Sequence, residues 1–373
     1  MASGNISHLL KESWSLVEDR QDRLGAYFYA LMFLKYPELR EMFPVQMDLQ
    51  RARLLGAIVT AIQNFDDPER VDEYLRQLGR DHRKFYVEPA HFDQVKFALL
   101  ESLRVHAGDD WNLQFEQAWS DVYDMIAAKM IAGARDDDDT PPYWHAEVLR
   151  HERRGTDIAV FTCRPLSPMP FRAGQYVSVE CRYQPRLWRT YSMANAPRDD
   201  GTIEFHVRAV GAGWVSSALV RRLQPGDLLK LAAPMGSMTL DPDSRRDIVC
   251  VAGGTGLAPV KAILDELSRY NRTRFVHLFR GVRTRDDLYD RDHLDSLTKK
   301  LPWLNVVRAL SEDDEFPDAE HGNVADIVAK HGPWPNHDFY VSGSPAMVAS
   351  TLRALQKLQV PSTRIKFDTF SYA

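Results

Sequence analysis

Several groups of residues have types and spacings suited to chemistry. Arg189-Thr190-Tyr191-Ser192 places a guanidinium fork, an aromatic plane and a hydroxyl within one short run. Those groups suit a pyrophosphate, a flat ring system and the polar edge of that ring. The run Ile248 to Ala252 is apolar and leads into Gly253-Gly254-Thr255-Gly256-Leu257-Ala258-Pro259. It reads as a glycine-rich strand-to-helix turn whose backbone N–H groups can receive a phosphate, or as a tight turn without a ligand. His82 lies on one helical stripe with Val71, Leu75, Leu78 and Phe85 in the segment Val71 to Tyr86. That is the placement of a hydrogen-bonded core histidine or of a metal ligand. Tyr29 stands in an apolar surround, and Gln50 and Leu54 are four residues apart on a later helix. Tyr29 and Gln50 can therefore enter one apolar pocket or sit as satisfied core groups.

The surrounding periodicities say which elements must position these residues. From Ile6 to about Ala134 the pattern is helical, broken only at Pro37, Pro44, Pro68 and Pro89, which predicts an all-α domain. Asp136 to Asp139 followed by Thr140-Pro141-Pro142 reads as a linker. From Tyr143 to about Ala233 the period changes to short strands, among them His145 to Leu149, Ile158 to Phe161, Tyr176 to Val179 and Ile203 to Val207, as in a six-stranded antiparallel barrel. Within it, Phe171 to Tyr176 precedes the Arg189 run, and Gly211-Ala212-Gly213-Trp214-Val215-Ser216-Ser217 follows. That stretch opens a helix at a phosphate, or is simply capped by Ser216. Beyond Ile248, strands at Phe275 to Phe279, Val306 to Leu310, Phe339 to Ser342 and Ile365 to Phe367 alternate with helices, predicting a doubly wound parallel sheet. The expected domains are 1–138, 139–240 and 241–373.

Composition narrows the function classes. The chain has 373 residues, 44% hydrophobic and 27% charged, with a net charge of -5. That is the profile of a multi-domain globular protein without the basic footprint of a nucleic-acid or membrane-surface binder. Cys163, Cys181 and Cys250 are too scattered for a disulfide framework or a zinc cluster, and read as small buried side chains in a reducing compartment. No apolar run approaches the roughly 18 residues of a membrane span, and the start Met1-Ala2-Ser3-Gly4-Asn5 lacks a signal-peptide pattern, so the expected location is the cytoplasm.

Taken in order, Phe28-Tyr29, Tyr36-Pro37-Glu38-Leu39 through Phe43, Gln50-Arg51, and His82 before Pro89 resemble a bacterial globin, and specifically the haem domain of flavohaemoglobins. The Arg189 run, with Phe171 to Tyr176, Gly211 to Ser217, Pro225-Gly226-Asp227 and Ala233-Pro234-Met235-Gly236, resembles the flavin domain of the ferredoxin–NADP reductase superfamily. The resemblance spans nearly the whole chain. It implies haem b held by His82, with Phe43 packed on the ring and Tyr29, Gln50 and Leu54 on the distal side. It implies FAD at Tyr176, Arg189, Thr190, Tyr191, Ser192, Gly213, Val215, Ser216 and Ser217, with Phe370 covering the flavin. It implies NADH or NADPH at Gly254, Thr255, Gly256, Leu257, Ala258, Pro259, Gly343 and Pro345, with Arg283 and Arg285 available to grip a 2′-phosphate.

The implied activity is a nitric oxide dioxygenase taking O2, NO and NAD(P)H, with no nucleic acid, membrane or obligatory protein partner. Alternatives are an NAD(P)H-dependent oxidase and a gas-sensing globin kept ferrous by its own reductase. Several positions depart from the family. Phe92 stands where the family has a tyrosine beside the proximal histidine, the neighbouring glutamate is missing with only Asp136 nearby, Asp81 replaces a lysine, and the fourth strand's turn reads Ser342-Gly343-Ser344-Pro345 where the superfamily has Cys-Gly-Pro, so the thiol is absent. The expectation is a proximal histidine deprived of its hydrogen-bond acceptors.

Overall fold

Prolines and capping side chains mark out the helices of the first third. They are α1 (Ser3–Ser15), α2 (Gln21–Lys35), α3 (Asp48–Asn64), α4 (Pro68–His82), α5 (Pro89–Ala107) and α6 (Leu113–Arg135). Pro89 occupies the first turn of α5, where its missing N–H costs nothing, and Glu88 and His91 cap that end reciprocally. The Asn112 side chain opens α6 by accepting from the amides of Gln114 and Phe115 at 2.9 and 3.0 Å. The computed structural model describes residues 3–64, 68–211 and 213–370, so Ala212 lies outside the described residues. The chain divides into two compact units, Met1–Tyr143 and Trp144–Ala373. Among the described residues, no helix is long and apolar enough to cross a membrane.

The helical unit is the expected all-α domain, with a core of Leu10, Trp14, Leu24, Phe28, Met32 and Leu103 among others. One expectation changes. The helix carrying His82 does not continue to Tyr86. It stops at His82, passes into a 3-10 turn over Arg83–Phe85, and Tyr86 takes a left-handed conformation at φ +56°. Phe85 therefore leaves the helical stripe, yet its ring still meets the His82 imidazole edge-on at 5.8 Å.

The position of α4 is set by a reciprocal crossing with α6. A Cβ on Gly79 would stand 2.0 Å from the Met130 carbonyl oxygen, and one on Gly133 would stand 2.2 Å from the Arg76 carbonyl oxygen. Both backbones run in contact, and only hydrogen fits at either point.

In the second unit the strands β1 (Tyr143–Arg154), β2 (Ile158–Pro165), β3 (Tyr176–Cys181), β4 (Arg189–Ser192) and β5 (Ile203–Arg208) precede helix α7 (Trp214–Arg221) and strand β6 (Leu228–Ala232). They form a sheet in the order β4-β3-β6-β1-β2-β5, and an antiparallel bridge from Met193 to Phe205 brings its two edges together, nearly closing a barrel. Then follow β7 (Asp247–Gly253), α8 (Leu257–Tyr270), β8 (Val276–Val282), α9 (Arg291–Lys300), β9 (Leu304–Leu310), β10 (Glu320–His321), α10 (Val324–Lys330), β11 (His337–Gly343), α11 (Pro345–Lys357) and β12 (Ile365–Thr369). These strands make a parallel sheet in the order β10-β9-β8-β7-β11-β12, the doubly wound arrangement expected from the alternating pattern. The three cysteines are buried and unpaired, and burial pushes the Cys163 and Cys250 thiols up to about 12.

The crossing of α4 and α6 yields a direct test. Gly79→Ala is expected to lower the unfolding free energy of the helical unit by about 1 to 3 kcal/mol, because the methyl group overpacks a backbone contact. Gly56→Ala, where the added methyl meets nothing within 4 Å, is expected to be neutral or slightly stabilising. Urea titrations of both variants against the parent measure the difference.

Candidate functional site

In the helical unit, α2 presents Tyr29 into an aromatic enclosure. Its ring lies 4.8 Å from Phe28, 5.8 Å from Phe33 and 5.6 Å from Phe43, the last edge-on. Phe43 follows the 3-10 turn Pro37–Met42, and Leu54, on α3, packs against the same cluster. The Tyr29 hydroxyl donates to the backbone carbonyl of Gln50 at 3.4 Å. That is long for a hydroxyl donor, so the bond is weak and exchangeable. Burial raises the phenol's pKa, with Gln50 opposing, so Tyr29 stays a neutral donor. Tyr29, Phe43, Gln50 and Leu54 thus come together as the sequence suggests.

His82 ends α4, and its Nδ1 lies 2.7 Å from the Leu78 carbonyl. This bond places the proton on Nδ1 and leaves the Nε2 lone pair without a protein partner among the described residues. Burial lowers the imidazole pKa, which Asp81 and the Leu78 bond oppose. The result is a neutral imidazole with one free nitrogen, the donor a haem iron takes. Among the described residues, no group of three or more His, Cys, Asp or Glu side chains could hold a metal ion. A metal at His82 therefore needs ligands from elsewhere, as a porphyrin provides.

The expectation that this histidine lacks an acceptor is corrected: a backbone carbonyl serves instead of the missing side chains. Asp136 does not take that role, since Arg76 holds it at 2.9 Å and Arg80 at 3.5 Å. The charge introduced by Asp81 is met by Lys84, whose ammonium is buried against it. Burial lowers the pKa of Lys84, with Asp81 opposing.

In the second unit, Arg189-Thr190-Tyr191-Ser192 is strand β4 itself, with Tyr176 of β3 opposite Ser192. Arg189 and Tyr191 therefore point to one face and Thr190 and Ser192 to the other. Gly213 caps α7 through its backbone, and the helix opens with the amides of Trp214, Val215 and Ser216, which an α-helix leaves unsatisfied. Ser216 is not the cap: its hydroxyl donates to the Gly213 carbonyl at 3.1 Å and accepts from the Val210 amide at 3.3 Å. Ser217 closes the first turn from its amide to the Gly213 carbonyl. The Val215 side chain is buried in the barrel core and fixes this helix end, while its amide stays open there.

The glycine turn begins at the end of β7, forms a 3-10 turn over Gly254–Gly256 and enters α8. A Cβ at Gly256 would fall 2.3 Å from the Ser342 carbonyl oxygen, so the turn lies directly on the end of β11. This bare backbone cradle is what a pyrophosphate needs. Leu257, Ala258 and Pro259 are buried under α8, so their side chains brace the turn and cannot line it. Thr255 is half-buried at its crest. Gly343 has φ +154°, and its carbonyl accepts the Phe370 amide at 2.8 Å, placing Phe370 beside the turn from Gly343 to Pro345. Arg283 is exposed just past β8.

Three features escape a reading of spacings. The Ser192 hydroxyl donates to Asp368 Oδ2 at 3.4 Å, joining β4 to β12. Lys261 of α8 donates to Glu204 of β5 at 2.7 Å, and His206 contacts Glu204 at 3.0 Å and the Tyr289 hydroxyl at 2.8 Å. Burial would raise the Glu204 pKa, but His206 and Lys261 hold it well below the ordinary range. Arg280, fully buried, donates from Nη1 to the carbonyls of Ala252 and Gly281 at 3.1 and 3.3 Å, while its Nη2 has no partner among the described residues. A charged residue inside an apolar strand or helix run, as at Lys261 or Arg280, is the available sequence signal.

Comparison with known proteins agrees with this layout. The globin family matches residues 26–130, the oxidoreductase FAD-binding domain 146–240 and the oxidoreductase NAD-binding domain 250–353. A flavohemoprotein of Bordetella pertussis is 28% identical, covering 99% of this chain and 98% of the relative. Reductase component 2 of terephthalate 1,2-dioxygenase from a Comamonas species is 36% identical over 61% of this chain and 68% of its own length. The crystal structure of a Malassezia yamatoensis flavohemoglobin with bound FAD and heme superposes with a TM-score of 0.82 at 18% identity, over 100% of this chain and 99% of that one.

Asp368 offers a pH test. Burial raises its pKa from 3.8 to about 6, with Ser192 and the Thr369 amide opposing. The folded state thus binds a proton that the unfolded state has lost between those values. The stability from this group is present in acid and declines as pH rises through about 4 to 6. The unfolding free energy of the parent minus that of Asp368→Asn is expected to fall over this window and level off above it. Denaturant titrations at a series of pH values read the difference.

Proposed function

We propose that this chain, which belongs to the flavohaemoglobin family, is a nitric oxide dioxygenase drawing electrons from NAD(P)H. It is an NAD(P)H-dependent oxidoreductase that uses haem and FAD. When bound, the haem supplies the iron at which dioxygen and nitric oxide meet, and the flavin turns a hydride's electron pair into single electrons.

The chain's own residues hold, orient and shield. His82 would hold the iron through Nε2, since Nδ1 is committed to the Leu78 carbonyl. Tyr29 keeps a neutral hydroxyl in a water-poor aromatic wall and can redirect it from Gln50 to an anionic oxygen. Phe43 and Leu54 keep water out of the same pocket. In the second unit, Arg189 and the open amides of α7 offer donors to a flavin pyrophosphate, with Tyr176 and Tyr191 supplying flat surfaces. The Ser192–Asp368 pair would offer a hydroxyl and a titratable proton to polar atoms of the flavin. The glycine turn receives the dinucleotide's phosphates beside Gly343 and Phe370.

The observation that carries this reading is the buried Tyr29 donor, held by one long hydrogen bond in an otherwise apolar pocket. An oxidase that releases reduced oxygen has no need to retain an oxygen ligand with a neutral donor.

Tyr29→Phe is therefore expected to speed dioxygen dissociation by about tenfold to a hundredfold, the worth of one charge-assisted hydrogen bond. It should lower nitric oxide consumption in step. Stopped-flow oxygen dissociation and nitrate yield per NADH measure both. Each nitrate takes one electron, so the parent should form two nitrates per NADH under dioxygen, whereas peroxide formation in their place would favour the oxidase.

A further inference from the structure

We propose that Asp313 decides which dinucleotide the chain uses, by closing Arg285 into a chelate so that NADH is taken over its 2′-phosphorylated counterpart. This deepens the reading of the chain as an NAD(P)H-dependent oxidoreductase and rests on it. β7 and β8 run parallel with Gly253 opposite Gly281, so the chain leaving β8 at Val282 emerges beside the glycine turn. In a doubly wound sheet, the group just past this neighbouring strand meets the ribose 2′ position. There a carboxylate accepts from a hydroxyl, whereas an arginine receives a phosphate. Arg283 and Arg285 occupy that place.

Arg285 is not open to a phosphate. Its backbone amide and Nε donate to Asp313 Oδ2 at 3.2 and 2.7 Å, and its Nη2 donates to Oδ1 at 2.8 Å. The guanidinium also lies 5.6 Å from the Phe316 ring centroid. Arg285 holds the Asp313 carboxyl at about 2, so the clamp stays charged throughout the neutral range. The loop carrying Asp313 is fastened to the strand end: the Ser311 amide donates to the Val282 carbonyl at 3.1 Å and the Glu312 amide to the Arg283 carbonyl at 2.9 Å. Glu312-Asp313-Asp314-Glu315 is thereby fixed beside the two arginines. A 2′-phosphate arriving here finds one occupied arginine, Arg283 alone, and a run of carboxylates. A 2′-hydroxyl finds acceptors.

The test compares ferricyanide reduction by the full chain, loaded with FAD and haem, using NADH and NADPH. The parent is expected to favour NADH in kcat/KM by at least about tenfold. Asp313→Ala frees Arg285, and should raise NADPH use by about tenfold through KM while kcat with NADH holds. Adding Arg285→Ala to that variant should abolish the gain. Inhibition by adenosine 2′,5′-bisphosphate should strengthen in Asp313→Ala relative to inhibition by adenosine 5′-monophosphate, a binding readout that a merely structural role would not move. Asp313→Asn, which keeps the side chain's shape, should shift both ratios the same way by less, and serves if the alanine variant folds poorly. A parent that prefers NADPH, or bisphosphate inhibition unchanged in both variants, overturns the proposal. If neither dinucleotide reduces ferricyanide, the oxidoreductase reading itself fails and the proposal falls with it.

Discussion

The second unit depends on one close approach of main chain to main chain. The glycine turn after β7 lies on the end of β11 so closely that a methyl group at Gly256 would sit 2.3 Å from the Ser342 oxygen. These strands are neighbours where the order of the parallel sheet reverses, which is where such sheets open a crevice. The same few ångströms also fix Gly343, and through its carbonyl the Phe370 amide. Nothing larger than hydrogen at Gly256 would let the turn, the strand end and Phe370 share this place.

The ionisable groups are kept by two means. Burial holds Tyr29 and His82 neutral, so each has a lone pair or a hydrogen rather than a charge to offer. Other charges are retained and matched: Lys84 against Asp81 in the helical unit, buried Lys261 against Glu204 in the second, and half-buried Arg208 against Asp287 at 2.7 Å. A buried pair is costly to break because the surviving charge is left unmatched. The barrel and the nucleotide sheet are thus joined by contacts that resist the loss of either partner.

Much of this was legible in the residues. Helical periodicity broken by Pro37, Pro68 and Pro89 marks the helical unit, and the shift to short strands after Tyr143 marks the barrel. The Arg189 run proves to be one strand, and Tyr29, Phe43, Gln50 and Leu54 do gather. What stayed hidden lacks a mark in residue type. The stop at His82 passes into a 3-10 turn that a left-handed Tyr86 closes, where no glycine announces it. The acceptor for His82 is a main-chain carbonyl, which every residue carries. The side chains of Leu257, Ala258 and Pro259 serve the core, because a glycine-rich motif does not mark which of its side chains hold the turn. The Lys261, Glu204 and His206 network unites segments far apart in the chain, so no spacing reports it.

The reciprocal glycines of α4 and α6 also bear on how His82 can move. Each bare position faces the other helix's backbone, three residues along from its counterpart. Sliding α4 along α6 by a single residue would bring a side chain into a gap that admits none. The crossing therefore behaves like a detent: it lets α4 tilt but blocks travel along its axis. Any push or pull on the His82 ring has to be absorbed by rotation of the helix or by the short turn that follows it.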